Sequence, residues 1–358
     1  MNMDFGLCIA SKIDDVGYIA RAENLGYSYA WVADSQMIWS DCYTVLALAA
    51  QQTRTIKIGT GVSVAGTRIA PVTANSIATI NRLAPGRTFL GIGTGNTAMR
   101  IMGHKPLKLK EFASYLKTLR GLLHGEEVEF TWRGETTPVR FLMREQNFID
   151  VEHPIPIYVS GFGPKAQALA GEYGDGLVMS IPPDPGFMYR ALNNSQAGAS
   201  RIGKTLDQKN FYTASLTTAV ILEPGESLTS DRVLRECGAF VIASLHYVYD
   251  KIRQFGGDPP GHFRHIWEEY SALVEKTPPS HRHLRIHDGH CTYLLPEEAK
   301  FVTPELIRGT CLVGTPEEII GQIRRLEEAG LQQIMILPSL ETQYRVIEDF
   351  ARKVMEKM

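Results

Sequence analysis

Ile56-Lys57-Ile58-Gly59-Thr60-Gly61-Val62 (56–62) and Arg87-Thr88-Phe89-Leu90-Gly91-Ile92-Gly93 (87–93) are two short runs of β character that end among glycines. Between them, Val72–Leu83 carries its apolar residues at helical spacing and is entered through Pro71. Strand, helix, strand with a period of about 30 residues is the rhythm of a βα unit with short loops. Parallel strands and right-handed crossovers follow from it.

The same rhythm extends outward. Met3–Ala10 reads as a strand, Ile13–Leu25 as a helix stopped at Gly26, Tyr29–Ala33 as a strand and Tyr43–Gln52 as a helix. Downstream come a helix over Lys108–Leu123, a strand at Ile155–Ser160, a helix opening at Lys165–Ala170 and a strand at Gly176–Ser180. A helix over Phe187–Ser200 and a long seventh strand, Tyr212–Leu222, continue the series. Thr315-Pro316-Glu317-Glu318 is a helix start with an N-cap, a proline at N1 and first-turn carboxylates. Gly330 ends that helix, Gln333–Leu337 is the eighth strand and Tyr344–Met355 closes the chain. Eight strands, each tied to a helix, favour a closed (β/α)8 barrel over an open doubly wound sheet. The chain is read as one barrel domain with two insertions. The first, about 126–150, is a hairpin with strands at Glu127–Trp132 and Val139–Leu142 flanking Gly134-Glu135. The second, about 224–310, is mostly helical and precedes the eighth strand.

Composition narrows the function classes. With 44% hydrophobic and 21% charged residues and a formal net charge of -2, the 358-residue chain has no global basic field for nucleic acid or an anionic membrane. Cys8, Cys42, Cys237, Cys291 and Cys311 are odd in number, scattered and free of C-x-x-C spacing. Reduced thiols in a cytoplasmic protein fit better than a disulfide framework or zinc ribbon. No signal peptide and no apolar run of membrane-spanning length is read.

In such a barrel the chemistry sits after the strands, at their C-terminal ends. Asp34 and Ser35 follow the second strand with Trp39 shortly after; a site at the mouth and a plain helix cap are equal readings of the first two. Gly59-Thr60-Gly61-Val62-Ser63 ends the third strand, where a tight turn competes with close approach of backbone to a flat ligand. Gly91-Ile92-Gly93-Thr94-Gly95-Asn96 ends the fourth, without the G-x-G-x-x-G spacing of a dinucleotide fold. Ser160-Gly161-Phe162-Gly163-Pro164-Lys165 ends the fifth, where successive amides at a helix N-terminus and the Ser160 hydroxyl suit a phosphate. His281, His283, His287 and His290 crowd the second insertion, but their spacing matches no metal motif, so no metal is expected. P-loop, nucleophile-elbow and H-E-x-x-H signatures are absent from the sequence.

At these segments the chain resembles the luciferase-like flavin/F420-dependent superfamily, and within it the methylenetetrahydromethanopterin reductase-like group. The resemblance rests on Trp31-Val32-Ala33-Asp34-Ser35-Gln36, on Ile58-Gly59-Thr60-Gly61-Val62 with Arg68, and on Leu90-Gly91-Ile92-Gly93-Thr94-Gly95. It continues through Gly174-Asp175-Gly176 and Val313-Gly314-Thr315-Pro316-Glu317-Glu318. It covers most of the chain and is weakest over about 224–280.

The resemblance implies a homodimeric or higher-order barrel that holds reduced FMN or coenzyme F420. It implies a cofactor phosphate on Ser160, Gly161, Phe162 and Gly163, a non-prolyl cis bond at Gly61-Val62, and a pocket lined by Asp34, Gly93, Gly95 and Asn96. Many members carry histidine where this chain has Ser35, and serine is no proton donor near neutral pH. Acid–base work would then pass to His287, His290 or His104, or the reaction would not need it. Trp39 falls where some deazaflavin enzymes keep a tryptophan. The first functional expectation is a monooxygenase using O2 and FMNH2 from a separate flavin reductase. The second is F420-dependent hydride transfer to or from a small organic substrate; the third is a flavin-binding barrel without turnover. Asp34→Ala is expected to slow turnover and leave the fold intact.

Overall fold

The computed structural model describes residues 3–180, 184–207 and 209–358. The first half of the chain runs β1 (Asp4–Ile9), α1 (Gly17–Asn24), β2 (Tyr29–Val32), α2 (Cys42–Gln52), β3 (Lys57–Val64), α3 (Ala70–Leu83), β4 (Thr88–Gly93), α4 (Asn96–Arg100) and α5 (Leu109–Leu123). A hairpin, β5 (Val128–Trp132) and β6 (Glu135–Val139), precedes β7 (Ile157–Ser160), α6 (Pro164–Tyr173), β8 (Gly176–Ser180), α7 (Pro185–Arg201), β9 (Tyr212–Thr217) and β10 (Ala219–Ile221). Four helices follow: α8 (Asp231–Phe255), α9 (Arg264–Glu275), α10 (Arg282–His287) and α11 (Pro304–Thr310). The chain ends with β11 (Leu312–Gly314), α12 (Pro316–Glu328), β12 (Gln333–Ile336) and α13 (Gln343–Lys353).

Strands β1, β2, β3, β4, β7, β8, β9 and β12 form a closed ring, with β12 pairing back to β1, and every pair is parallel. The chain is a (β/α)8 barrel. Period-two alternation explains how it closes around a packed interior. In β2, Ala30 and Val32 belong to the layer between barrel and helices, while Tyr29 and Trp31 belong to the interior cluster. There Trp31 meets Phe89 at 4.4 Å and Tyr158 at 5.6 Å, and Tyr212 stacks on Tyr29 and Tyr158 at 5.3 and 5.2 Å. The Trp31 indole N–H donates to Gln333 Oε1 at 2.9 Å, so its one polar atom is satisfied. Gly91 leaves room for this plug: a methyl there would lie 2.8 Å from the Trp31 ring. The aromatic layer closes the barrel from below and leaves the C-terminal mouth for the site.

Three elements differ from the sequence reading. The long seventh strand breaks at Thr218. Its first part, β9, stays in the barrel wall, and its second part, β10, leaves to pair with β11. An uninterrupted β-rich run carries no Gly or Pro to mark such a break. The second hairpin strand is Glu135–Val139 rather than Val139–Leu142. Arg133 (φ 53°) and Gly134 (φ 87°) make a two-residue turn, and the exposed polar strand after it has no apolar alternation to reveal it. The histidine-rich stretch, where glycines and prolines argue against helix, forms α10 and stops just before Gly289 (φ 70°).

The second insertion lies over the mouth. Phe162, in the loop after β7, packs against Tyr247 of α8 at 5.3 Å, and Arg100 of α4 pairs with Gln254 of the same helix. The base of α8 is tied down by Glu236, which is 3% exposed and binds Arg232 and, from α13, Arg345.

Candidate active site

Three successive strand ends build a shallow cradle. The register between β3 and β4 slips after Thr60–Leu90 and resumes at Ser63–Ile92, because the Gly61-Val62 peptide is cis and bulges from the strand. A methyl at Gly61 would lie 2.6 Å from Trp31 Cβ, so only glycine lets this bulge rest on the aromatic plug. Beside it, a methyl at Gly93 would meet Ser160 Cβ and Val62 Cγ2, both at 3.2 Å. A side chain at Gly93 would fill the cradle. Gly95 is left-handed (φ 86°) and caps α4, whose first residue, Asn96, accepts from Arg100 Nε at 2.9 Å.

The cradle continues into the loop after β7. Gly161 N–H donates to Val178 O, and Gln167 N–H to Gly163 O. Among the described residues, the amides of Phe162, Gly163, Lys165 and Ala166 have no main-chain acceptor. A Cβ built on Gly163 meets nothing within 4 Å, so space stands in front of these amides. Four free N–H groups at the start of a ten-residue helix, with the Ser160 hydroxyl beside them, fit a phosphate.

Asp34, 4% exposed, turns out to be clamped. Arg68 Nη1 lies 2.5 Å from its Oδ2 and Ser63 Oγ donates to the same atom at 3.2 Å. Arg68 also reaches Asp41 at 3.0 Å and lies over the Tyr43 ring. The carboxylate holds the loop after β2 against the end of β3. Removing it would leave a partly buried guanidinium with one partner, so Asp34→Ala is expected to cost stability. Ser35, buried as well, lends its carbonyl to the amides of Ile38 and Trp39, which turns the chain and aims Trp39 across the mouth.

Trp39 meets the insertion there. Its indole N–H donates to Thr292 Oγ1 at 3.1 Å, and its ring lies 6.0 Å from His290. His290 Nε2 is 3.4 Å from Thr97 Oγ1, while its buried Nδ1 has no partner among the described residues. His287 lies 5.8 Å from His290, ring to ring. Burial is the main cause that holds His287 down at about 4 and His290 at about 3, so both rings are neutral at pH 7.

A cavity of about 810 Å³ opens beside this wall, on the β12–β1–β2 side of the mouth. Met37, Trp39, Ile101, Leu284, His287 and Tyr293 contribute to its lining. Of the residues expected in the site, Trp39 and His287 face this cavity; Gly61, Val62, Gly93 and Ser160–Gly163 form the separate cradle across the mouth. His104 lies after α4 and contacts neither group. Among the described residues no three His, Cys, Asp or Glu converge as metal ligands, and no helix is long and apolar enough to cross a membrane. Sequence reasoning did not place Arg68, Thr292, Arg100 or Asp250 in the site. Only Arg68 carried a signal, through its place in the quoted motif.

The sequence model of the luciferase-like monooxygenase family matches residues 12–333. A 5,10-methylenetetrahydromethanopterin reductase of Archaeoglobus fulgidus is 30% identical over 324 residues, 89% of this chain and 87% of the reductase. An F420-dependent hydroxymycolic acid dehydrogenase of Mycobacterium tuberculosis is 32% identical over 177 residues, 46% of this chain and 48% of its own. Among solved structures, the coenzyme F420 dependent tetrahydromethanopterin reductase of Methanopyrus kandleri superposes with a TM-score of 0.70 at 20% identity, over 100% of this chain and 99% of that one.

Proposed function

The chain belongs to the luciferase-like monooxygenase family and is an oxidoreductase, and from that premise we propose that it binds coenzyme F420 and transfers hydride to or from a small organic substrate without using O2. The observation that carries this reading is Trp39. It stands five residues after Asp34, is held by Thr292 beside the His290 ring, and lines the 810 Å³ cavity at the mouth. Similarity to a reductase over nine-tenths of the chain supports it, as does the F420-dependent relative over the shorter stretch.

Ser160, Gly161, Phe162 and Gly163 would hold the phosphate, and Gly61, Val62, Gly93 and Gly95 would receive the ring system. The coenzyme would supply a two-electron hydride donor or acceptor. The chain supplies the rest. The free amides fix the phosphate end, and Arg68 through Asp34 keeps the strand ends in register. The aromatic layer below and α8 above exclude water, which strengthens every polar contact at the centre. The cavity that Trp39 lines would hold the substrate, with apolar walls from Met37, Ile101 and Leu284.

The family's own description favours a second reading, FMNH2 with O2, which needs a flavin reductase as partner. Anaerobic titration with F420 and with FMN, oxidised and reduced, followed by admission of O2, separates the two. F420 is expected to bind at least tenfold more tightly than FMN, with no oxygen uptake by the reduced complex. Tight FMNH2 binding with oxygen consumption would overturn the hydride reading.

A further inference from the structure

The insertion places an acid–base pair at the mouth, where Ser35 offers none. His287 is 4% exposed and lines the substrate-side cavity. Its Nδ1 lies 2.7 Å from the His283 carbonyl, one turn earlier in α10. A carbonyl only accepts, so the ring proton sits on Nδ1 and Nε2 carries the lone pair. The polar group facing Nε2 is Asp250 of α8, with Oδ2 at 3.8 Å. At 3.8 Å the two are not hydrogen-bonded, so the Nε2 lone pair stays available while the nearby carboxylate favours the protonated ring. The pair is therefore a site for one proton.

We infer that His287 Nε2, backed by Asp250, takes and returns the proton that accompanies the redox step. This rests on the hydride reading above. In the oxidising direction the O–H bond of an alcohol substrate breaks, its proton joins Nε2, and the carbon's hydride goes to the deazaflavin, leaving a carbonyl. Reduction runs the same proton back from Nε2 to oxygen. His287 is the catalytic group and Asp250 the positioning residue, since Asp250 does not line the cavity.

The groups facing the pair set its proton affinity. From α8 these are His246 and Asp250 itself; from α4, Arg100, whose Nε lies 3.8 Å from Asp250; from α10, His283; and from the following turn, His290. Burial lowers His287 to about 4 and raises the Asp250 carboxyl above its ordinary value, so the two partners are brought toward each other.

The test uses the full chain and three variants, His287→Gln, Asp250→Asn and His290→Gln. Long-range nitrogen–proton spectra of histidine-labelled protein, without cofactor, are expected to show His287 protonated on Nδ1 at pH 7. Its midpoint should move down by at least one pH unit in Asp250→Asn. A proton on Nε2, or a midpoint indifferent to Asp250, would overturn the inference whatever the coenzyme. F420 fluorescence then checks binding, and a panel of secondary alcohols and ketones checks turnover. Loss of F420 binding in the parent would sink the hydride reading instead. With binding intact, His287→Gln is expected to lower kcat at least a hundredfold with F420 affinity unchanged within threefold. Asp250→Asn is expected to shift the acid limb of the kcat profile. A His287→Gln enzyme with parental kcat and pH profile would overturn the assignment, and a hundredfold loss in His290→Gln alone would move the role to that ring.

Discussion

At the scale of single residues, the site separates groups that bind from groups that brace. Gly163 is the clearest test of the proposed phosphate site. It is the N-cap of α6, has an ordinary φ of -109° and leaves open space for a Cβ. An aspartate there would cap the helix with its own carboxylate. Gly163→Asp is therefore expected to hold or raise stability, by up to about 1 kcal/mol, while competing for the amides offered to a phosphate. The paired readout is a melting temperature equal to or above the parent's with at least a hundredfold loss of F420 affinity. Unchanged affinity would mean the loop is misassigned. Asp34 is a brace. Arg68 keeps Asp41 when Asp34 is lost, so Asp34→Ala is expected to cost about 2–4 kcal/mol, measurable by urea unfolding, alongside slower turnover. A variant as stable as the parent would show that the Arg68 pair contributes nothing to the fold.

At the scale of elements, α8 decides how the mouth is covered. Its first turns carry Glu236, buried between Arg232 and Arg345, and its middle carries Tyr247 over the phosphate loop. Glu236→Ala would leave Arg232 and Arg345 without their shared carboxylate, although Arg232 keeps Glu226. A destabilisation of about 3 kcal/mol is expected, together with faster proteolytic cleavage in 256–281, where glycines and prolines break the helices. F420 should protect the same stretch in the parent, because Phe162 joins α8, which leads into that stretch, to the proposed phosphate loop. Equal cleavage with and without F420 would remove the covering role. The capping box of α12 shows the opposite case, an element whose energy is local. Thr315 accepts from Glu318 N–H at 3.3 Å and Glu318 returns the bond to Thr315 N–H at 2.8 Å, as the Thr-Pro-Glu-Glu signature predicts.

At the scale of the whole molecule, two neutral histidines buried between barrel and insertion make stability depend on pH. Both have folded values below the ordinary 6.5, His287 about 4 and His290 about 3. Between those values and 6.5 the unfolded chain binds more protons, so stability rises with pH there and is fully present above 6.5. Acidification from pH 7 to 5 is expected to cost about 2 kcal/mol for each ring. Doubling the midpoint test with His290→Gln should remove about half of the loss. A stability flat from pH 7 to 5 would contradict the burial of these rings. What the sequence by itself determined is the order of strands and helices, the parallel ring they make and the glycine-bearing strand ends, because hydrophobic period, caps and turns act over a few neighbouring residues. The break at Thr218 and the polar hairpin strand were lost for lack of a local mark. Tertiary structure alone decided that Asp34 is spent on Arg68, that His287 faces Asp250 from 37 positions away, and that Trp39 meets Thr292. Those pairings join segments remote in sequence, and no local periodicity encodes which side chains a closed barrel and its insertion bring within a few ångströms.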